Sequence, residues 1–230
     1  MNYLLVLSGG VGSRINSEVP KQYIEINNKP VIEYTLSCFE IGYFDQIVVV
    51  VSDEWKSYLD NIMKKLKITN FRYAPAGDSR QESILNGLNE LENISDDDIV
   101  VIHDAARANL KMELVLKLIA ACQNSDGAMP VIPVKDTIYL SENHCEITGL
   151  LNRDSLFAGQ APEAFKLNKY RALNSKLTKE ELSNIRGSSE LAYKNGMVIS
   201  LIPGDENNFK ITTREDLIRF EQITQGAIKW

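Results

Sequence analysis

The 230-residue chain has few of the residues that signal several common chemistries. It carries two histidines and three cysteines. Cys38, Cys122 and Cys145 are too scattered for a metal knuckle, and an odd count does not describe a disulfide framework. A reducing cytoplasm is the expected compartment. No apolar run approaches the roughly 18 residues that cross a membrane, and no secretory signal is expected ahead of the first strand. Lys and Arg number 25 against 31 Asp and Glu, a formal net charge of −6. That balance argues against a nucleic-acid or membrane-surface partner, which would call for a basic face. An anionic substrate would need a local cationic pocket. Repeats, low-complexity tracts and composition shifts are absent too, so residues 1–230 read as one domain, with 44% hydrophobic residues to build its core. Two familiar phosphate loops are also missing. The Gly-x4-Gly-Lys-Ser/Thr pattern does not occur, and Gly10-Val11-Gly12 lacks the third glycine of a dinucleotide fingerprint, since Ile15 stands in its place.

What the chain does have is Leu4-Leu5-Val6-Leu7 followed by Ser8-Gly9-Gly10-Val11-Gly12-Ser13-Arg14 and then Pro20-Lys21-Gln22. The apolar run reads as a buried strand that breaks into a glycine turn. Glycine lets the backbone turn tightly and point successive N–H groups at an anion. The glycines alone fit a ligand-free strand-to-helix turn equally well. Arg14 and Lys21 shift the balance towards a polyphosphate, although each taken singly could be a solvated surface charge.

Strands are expected at Ile47–Val51, Phe71–Ala74, Ile99–Ile102, Ala128–Val134, Met197–Ile202 and Asn208–Thr212. Helical spacing covers Val31–Phe39, Trp55–Leu66, a segment from Gly77-Asp78-Ser79 to about Leu91, Lys111–Cys122, Leu167–Leu177, Lys179–Tyr193 and a last helix that starts at Thr213. This alternation predicts an α/β fold: a Rossmann-like, mainly parallel twisted sheet with helices on both faces. A hairpin over residues 137–158 interrupts it and is expected to project as an arm. In such sheets ligands bind beyond the carboxyl ends of the strands. Ser8–Arg14, Gly77–Ser83, His103–Arg107 and Val134–Thr137 all have that address.

Taken in order, the motifs Gly-Gly-Val-Gly-Ser-Arg (9–14), Pro-Lys-Gln (20–22), Gly-Asp-Ser-Arg-Gln-Glu-Ser (77–83), His-Asp-Ala-Ala-Arg (103–107), Asp-Thr-Ile (136–138), Gly-Gln-Ala-Pro (159–162) and Asn-Phe-Lys-Ile-Thr (208–212) resemble the polyol-phosphate cytidylyltransferases. One branch of that family acts on 2-C-methyl-D-erythritol 4-phosphate and the other on ribitol 5-phosphate. The resemblance implies CTP and a small polyol phosphate as substrates, and Mg²⁺ carried mainly on the phosphates. It assigns Leu7, Ser8, Gly9, Gly10 and Gly12 with Arg14 and Lys21 to the triphosphate, and Gly77, Asp78, Arg80 and Ser83 to the cytidine end. Asp104 and Ala105 fall to the ribose and acceptor, and Arg107, Thr137, Arg153 and Lys210 to the acceptor; Arg186, where the chain departs from the family's pattern, is a further candidate acceptor contact. Arg14, Lys21 and Lys210 would be the catalytic cations. The resemblance further implies a homodimer whose arm brings Arg153 to the partner's site.

The residue types suit that chemistry. A phosphate monoester has a second pKa near 6 and is mostly a dianion at pH 7. It needs positioning and charge relief rather than a general base. His103 is therefore expected to be structural. Asp104 could simply cap the following turn, and Arg107 could serve a carboxylate. Lys210, placed in an apolar strand, would be costly without a function.

Three departures bear on the acceptor. Tyr139 follows Asp136-Thr137-Ile138 where lysine is usual, Ala108 replaces a proline, and Arg186-Gly187 replaces a Thr-Asp pair. With Arg153–Gln160 and Asp53-Glu54-Trp55, they point first to ribitol or glycerol phosphate, with methylerythritol phosphate second. A non-catalytic nucleotide-binding relative and a sugar-1-phosphate nucleotidyltransferase are the remaining alternatives.

Overall fold

The computed structural model describes residues 1–10, 17 and 19–226. Strands are β1 (Asn2–Leu7), the short pair β2 (Glu25–Ile26) and β3 (Lys29–Pro30), β4 (Gln46–Val51), β5 (Phe71–Pro75), β6 (Ile99–Asp104), β7 (Gly127–Pro133), the short pair β8 (Tyr139–Leu140) and β9 (Gly149–Leu150), β10 (Phe157–Gly159), β11 (Glu163–Lys166) and β12 (Ile199–Pro203). Helices are α1 (Val31–Ser37), α2 (Lys56–Lys65), α3 (Arg80–Asn89), α4 (Met112–Ala121), α5 (Leu167–Asn174), α6 (Lys179–Asn184), α7 (Ser188–Lys194) and α8 (Arg214–Thr224).

The eight-stranded sheet runs β10-β7-β11-β6-β1-β4-β5, with β12 on the other side of β7. The pairs β6/β1, β1/β4, β4/β5 and β7/β12 are parallel. The run β1, β4, β6 is apolar almost throughout, as strands covered on both faces must be. Alternate residues feed two cores. Leu4, Val6, Val49 and Val101 face α1, α2 and α4 through Leu36, Leu59 and Leu118. Tyr3, Leu5, Val48 and Ile102 face α3, α5 and α7 through Leu88, Tyr170 and Leu191. The expected α/β sheet with two covered faces is therefore present.

Four local expectations differ. β11, which pairs antiparallel with both β6 and β7, was not expected as a strand; nor was β10, antiparallel to β7. Asn208–Thr212 is not a strand. Scattered bonds, not a ladder, satisfy its backbone: the Asn208 carbonyl accepts from the Arg107 side chain at 2.6 Å, and Ile211 N–H donates to the Ala106 backbone carbonyl at 2.8 Å. The helix expected over Lys179–Tyr193 is two. A Thr178–Glu181 capping box starts α6. The chain then turns extended at Ile185 and Gly187. There the buried Glu163 carboxylate accepts from Ser189 N–H at 3.0 Å and its hydroxyl at 2.7 Å, anchoring the start of α7.

Candidate active site

β1 is flanked by β4 on one side and β6 on the other, so the chain direction across the sheet reverses between β1 and β6. A crevice opens at the carboxyl ends of such a pair. It holds a cleft of about 440 Å³ lined by Leu7, Gly9 and Gly10 after β1, Asp104–Ala106 after β6, Gly77–Arg80 and Ser83 at the start of α3, and Lys21, Gln22, Lys210 and Thr212.

The loop after β1 fits closely against its surroundings. A Cβ on Gly9 would collide with the Cβ of Ala76. Ser8 is bound on the far side, its N–H donating to the Val50 carbonyl at 2.8 Å and its hydroxyl 2.9 Å from the Tyr23 hydroxyl. Tyr23 stacks on Trp55 with ring centroids 4.1 Å apart. Ser8 therefore anchors the loop to β4 and Tyr23 and is not among the residues lining the cleft. Gly12 and Arg14 lie outside the described residues. Lys21 stands in the cleft wall.

The second wall is the turn into α3. Ser79 caps the helix, its hydroxyl accepting from Glu82 N–H at 3.1 Å. The Gly77 N–H donates to the Ser83 hydroxyl at 2.9 Å. A side chain on Gly77 would lie 2.6 Å from Glu82 Cγ and 2.8 Å from Ser83 N. Asp78 is exposed and paired with Lys179 at 2.6 Å.

Asp104 is the electrostatic centre. Its carboxylate is 3.0 Å from Lys210 Nζ, 3.4 Å from Arg80 Nε and 3.6 Å from Arg107 Nε. Burial would raise its pKa, but Arg80, Lys210 and Arg107 together hold it well below the usual carboxylate range. Arg80 also approaches Glu163 at 3.4 Å and bonds the Ser188 hydroxyl. Burial disfavours its charge; Asp104 and Glu163 overcome that and raise its pKa. Its guanidinium therefore braces the wall while lining both the cleft and the pocket beside it. Arg107 likewise serves Asp104 and the Asn208 carbonyl. Lys210 is not an uncompensated ammonium in a strand: it lies in irregular backbone with Asp104 as its counter-charge. His103 is fully buried, with Nε2 3.0 Å from the Arg107 carbonyl, and burial lowers its pKa to about 4. It is structural, as expected.

A family model described as IspD, 2-C-methyl-D-erythritol 4-phosphate cytidylyltransferase, matches residues 3–225. The chain belongs to the IspD family. It is a cytidylyltransferase, and its substrates are CTP and a phosphorylated sugar alcohol. Among solved structures, it resembles 4-diphosphocytidyl-2C-methyl-D-erythritol synthase from Anaerococcus prevotii DSM 20548. The two are 26% identical with a TM-score of 0.84, over 97% of this chain and 96% of that one. A second structure of a 4-diphosphocytidyl-2C-methyl-D-erythritol synthase is 28% identical with a TM-score of 0.77, over 97% and 98% of the two chains. The bifunctional IspDF from Campylobacter jejuni is 26% identical with a TM-score of 0.73, over 95% of this chain and 53% of that longer one.

In this IspD-family chain a second pocket of about 310 Å³ adjoins the cleft and shares Arg80, Asp104 and Lys210 with it. Arg107, Gln160, Glu163 and Arg186 contribute to its lining. Arg186 is exposed, and its guanidinium has no hydrogen bond or ion pair among the described residues. Thr137 and Arg153 line neither pocket; both are exposed, and Arg153 donates to the Lys135 carbonyl at 2.9 Å. Their own chain does not bring them to the cleft.

Gln22, Ser79, Gln160, Glu163 and Thr212 were not singled out as site residues. Gln22, Ser79, Gln160 and Thr212 belonged to motifs that were recognised, so their spacing was visible but their roles were not. Glu163 follows the Gly-Gln-Ala-Pro motif directly, and a charged residue entering a short apolar strand was the available signal.

No helix among the described residues is long and apolar enough to cross a membrane.

Proposed function

We propose that the protein transfers CMP from CTP to the phosphate of 2-C-methyl-D-erythritol 4-phosphate, releasing pyrophosphate. The names of the matched family and of its structural relatives favour this acceptor over the polyols that the sequence departures suggested. The observation that carries the reading is the juxtaposition of a glycine-walled cleft containing Lys21 with a second pocket, joined at Lys210 and Asp104. CTP would lie with its triphosphate against Gly9, Gly10 and Lys21 and its cytidine against the turn into α3. The acceptor would lie in the second pocket.

An acceptor phosphate oxygen attacks the α-phosphorus, a P–O bond forms, and the bond from that phosphorus to the β-phosphate bridging oxygen breaks. The dianionic acceptor needs no proton removed. Lys21 and Lys210 offset the repulsion between two anions and the charge on the leaving pyrophosphate. Asp104 holds Lys210 at the junction. Mg²⁺ fits such a site as a passenger of the triphosphate, which would supply most of its ligands along with water; it adds charge neutralisation there. A cytoplasmic homodimer completes the proposal.

Arg186 favours a second reading. A guanidinium without a partner at the edge of the acceptor pocket suits a longer, more hydroxylated chain such as ribitol 5-phosphate. Pyrophosphate release with CTP and Mg²⁺ should be fastest with methylerythritol 4-phosphate in a panel that also contains ribitol 5-phosphate and the glycerol phosphates. Preference for ribitol or glycerol phosphate establishes the second reading. CTP binding with turnover of no acceptor would favour a non-catalytic relative.

A further inference from the structure

Gln22 is 3% exposed and sits in a single 3₁₀ turn, Lys21–Tyr23, held by the loop after β1. Its Nε2 donates to the Ser8 carbonyl at 2.6 Å and to the Gly10 carbonyl at 2.8 Å. Carbonyl oxygens only accept, so these two partners fix which end of the amide faces the loop. Lys21, the preceding residue, stands in the wall of the cleft. One short turn thus holds the phosphate loop and places a cation in the same cleft wall.

We infer that Gln22 is a positioning residue for phosphate binding: its amide in the cleft wall occupies the Ser8 and Gly10 carbonyls with two donors. The two donors offset the negative ends of those peptide dipoles beside the triphosphate and fix the course of the loop between them. It also locks the loop to the turn that carries Lys21, so loop and ammonium move as one body. Tyr23 secures the other side of the same turn through Ser8 and the Trp55 ring. A residue that only filled space could be an apolar side chain of equal length. The two donors are what the geometry requires.

The inference rests on CTP being the nucleotide bound, and its test separates the two. Wild type, Gln22→Met and Gln22→Glu are compared by calorimetric CTP binding and by pyrophosphate release across pH 5.5–8.5, with thermal unfolding as the folding control. Gln22→Met keeps the shape and loses both donors. It should raise the KM and Kd for CTP roughly 10- to 100-fold, the scale of leaving the buried Ser8 carbonyl and the part-buried Gly10 carbonyl unpaired, with the acceptor KM within about twofold of wild type. Gln22→Glu places a carboxylate against two carbonyl oxygens, which raises its pKa. Its deficit should therefore shrink as pH falls and the protonated acid regains a donor, while the Gln22→Met deficit stays flat. A structural role alone would lower the melting temperature of both variants without that pH signature. Wild type that binds CTP while both variants bind it equally well overturns this inference alone. Equal deficits of the two variants at every pH also overturn it. Wild type that binds no CTP overturns the nucleotide reading and this inference with it.

Discussion

At the residue scale the site is built from buried charge, and its titration behaviour follows. Asp104 carries three cations. Its lowered pKa means that its stabilising contribution is fully present above the ordinary carboxylate range and is lost only as pH falls well below it. Asp104 should therefore add nothing to the pH dependence of stability near neutrality. His103 behaves differently. Its Nε2–H faces the Arg107 carbonyl, leaving Nδ1 buried without a partner beside the Phe39 ring. The folded pKa is about 4, against about 6.5 for an unfolded histidine. Between those values the unfolded chain binds a proton that the folded chain does not, so stability rises with pH across the window and falls on acidification. Urea unfolding from pH 4.5 to 7.5 should show a wild-type slope steeper than that of His103→Gln, by up to about 1.4 kcal/mol per pH unit in mid-window. Parallel slopes for the two proteins would mean that His103 titrates alike in the folded and the unfolded chain.

At the element scale, α3 decides how the sheet meets the cleft, and Gly87 decides how closely α3 lies on the sheet. A Cβ there would run into the Leu5 side chain, with Leu5 Cγ only 3.2 Å away. Leu5 is fully buried and has nowhere to swing. Gly87→Ala gains helix propensity of about 1 kcal/mol but overpacks a dense core at a cost of about 1–3 kcal/mol. The expected result is a lower urea midpoint. CTP affinity should fall as well, because the N-terminus of α3 is the cleft wall. A raised midpoint would show that the sheet gives way easily. The parts of the fold legible in the sequence were those with local signals: β-branched runs for β4 and β6, and a Thr-Arg-Glu-Asp start for α8. β11 was not legible because Glu163-Ala164-Phe165-Lys166 is short and charged at both ends. Glu163 is tolerable inside a sheet only because Arg80 and Ser189, distant in sequence, complete it. Asn208–Thr212 misled in the opposite way. Phe209 and Ile211 alternate as a strand would, but Gln160 and Arg107 supply the hydrogen bonds that a neighbouring strand would otherwise make.

At the scale of the whole molecule, the cleft was legible because the segments after β1, β5 and β6 converge on it, and strand ends can be read from pattern; the fourth expected segment, residues 134–137, lines neither pocket. The network around Asp104 was not legible, since its cations come from α3, the turn after β6 and the irregular segment before α8. Thr137 and Arg153 pose the remaining question, because their own chain leaves them far from either pocket. They flank the hairpin of β8 and β9, whose surface is unusually apolar: Ile147 is 68% exposed, Leu150 65%, Tyr139 56% and Leu140 47%. Large exposed apolar surface marks sites where another protein docks. A second copy that covered the arm would bury these side chains and could receive Thr137 and Arg153 at its own cleft. Sedimentation at micromolar concentration should therefore give a dimer. The double variant Ile147→Asp, Leu150→Asp should sediment as a monomer with an unchanged core and at least tenfold lower turnover per chain. The wild type supplies an independent check, because mass action ties activity to assembly. On dilution through the dimer dissociation range, its specific activity should fall in step with the dimer fraction. If activity per chain stays constant while the protein becomes monomeric, each cleft is complete by itself, and Thr137 and Arg153 have no part in the acceptor pocket.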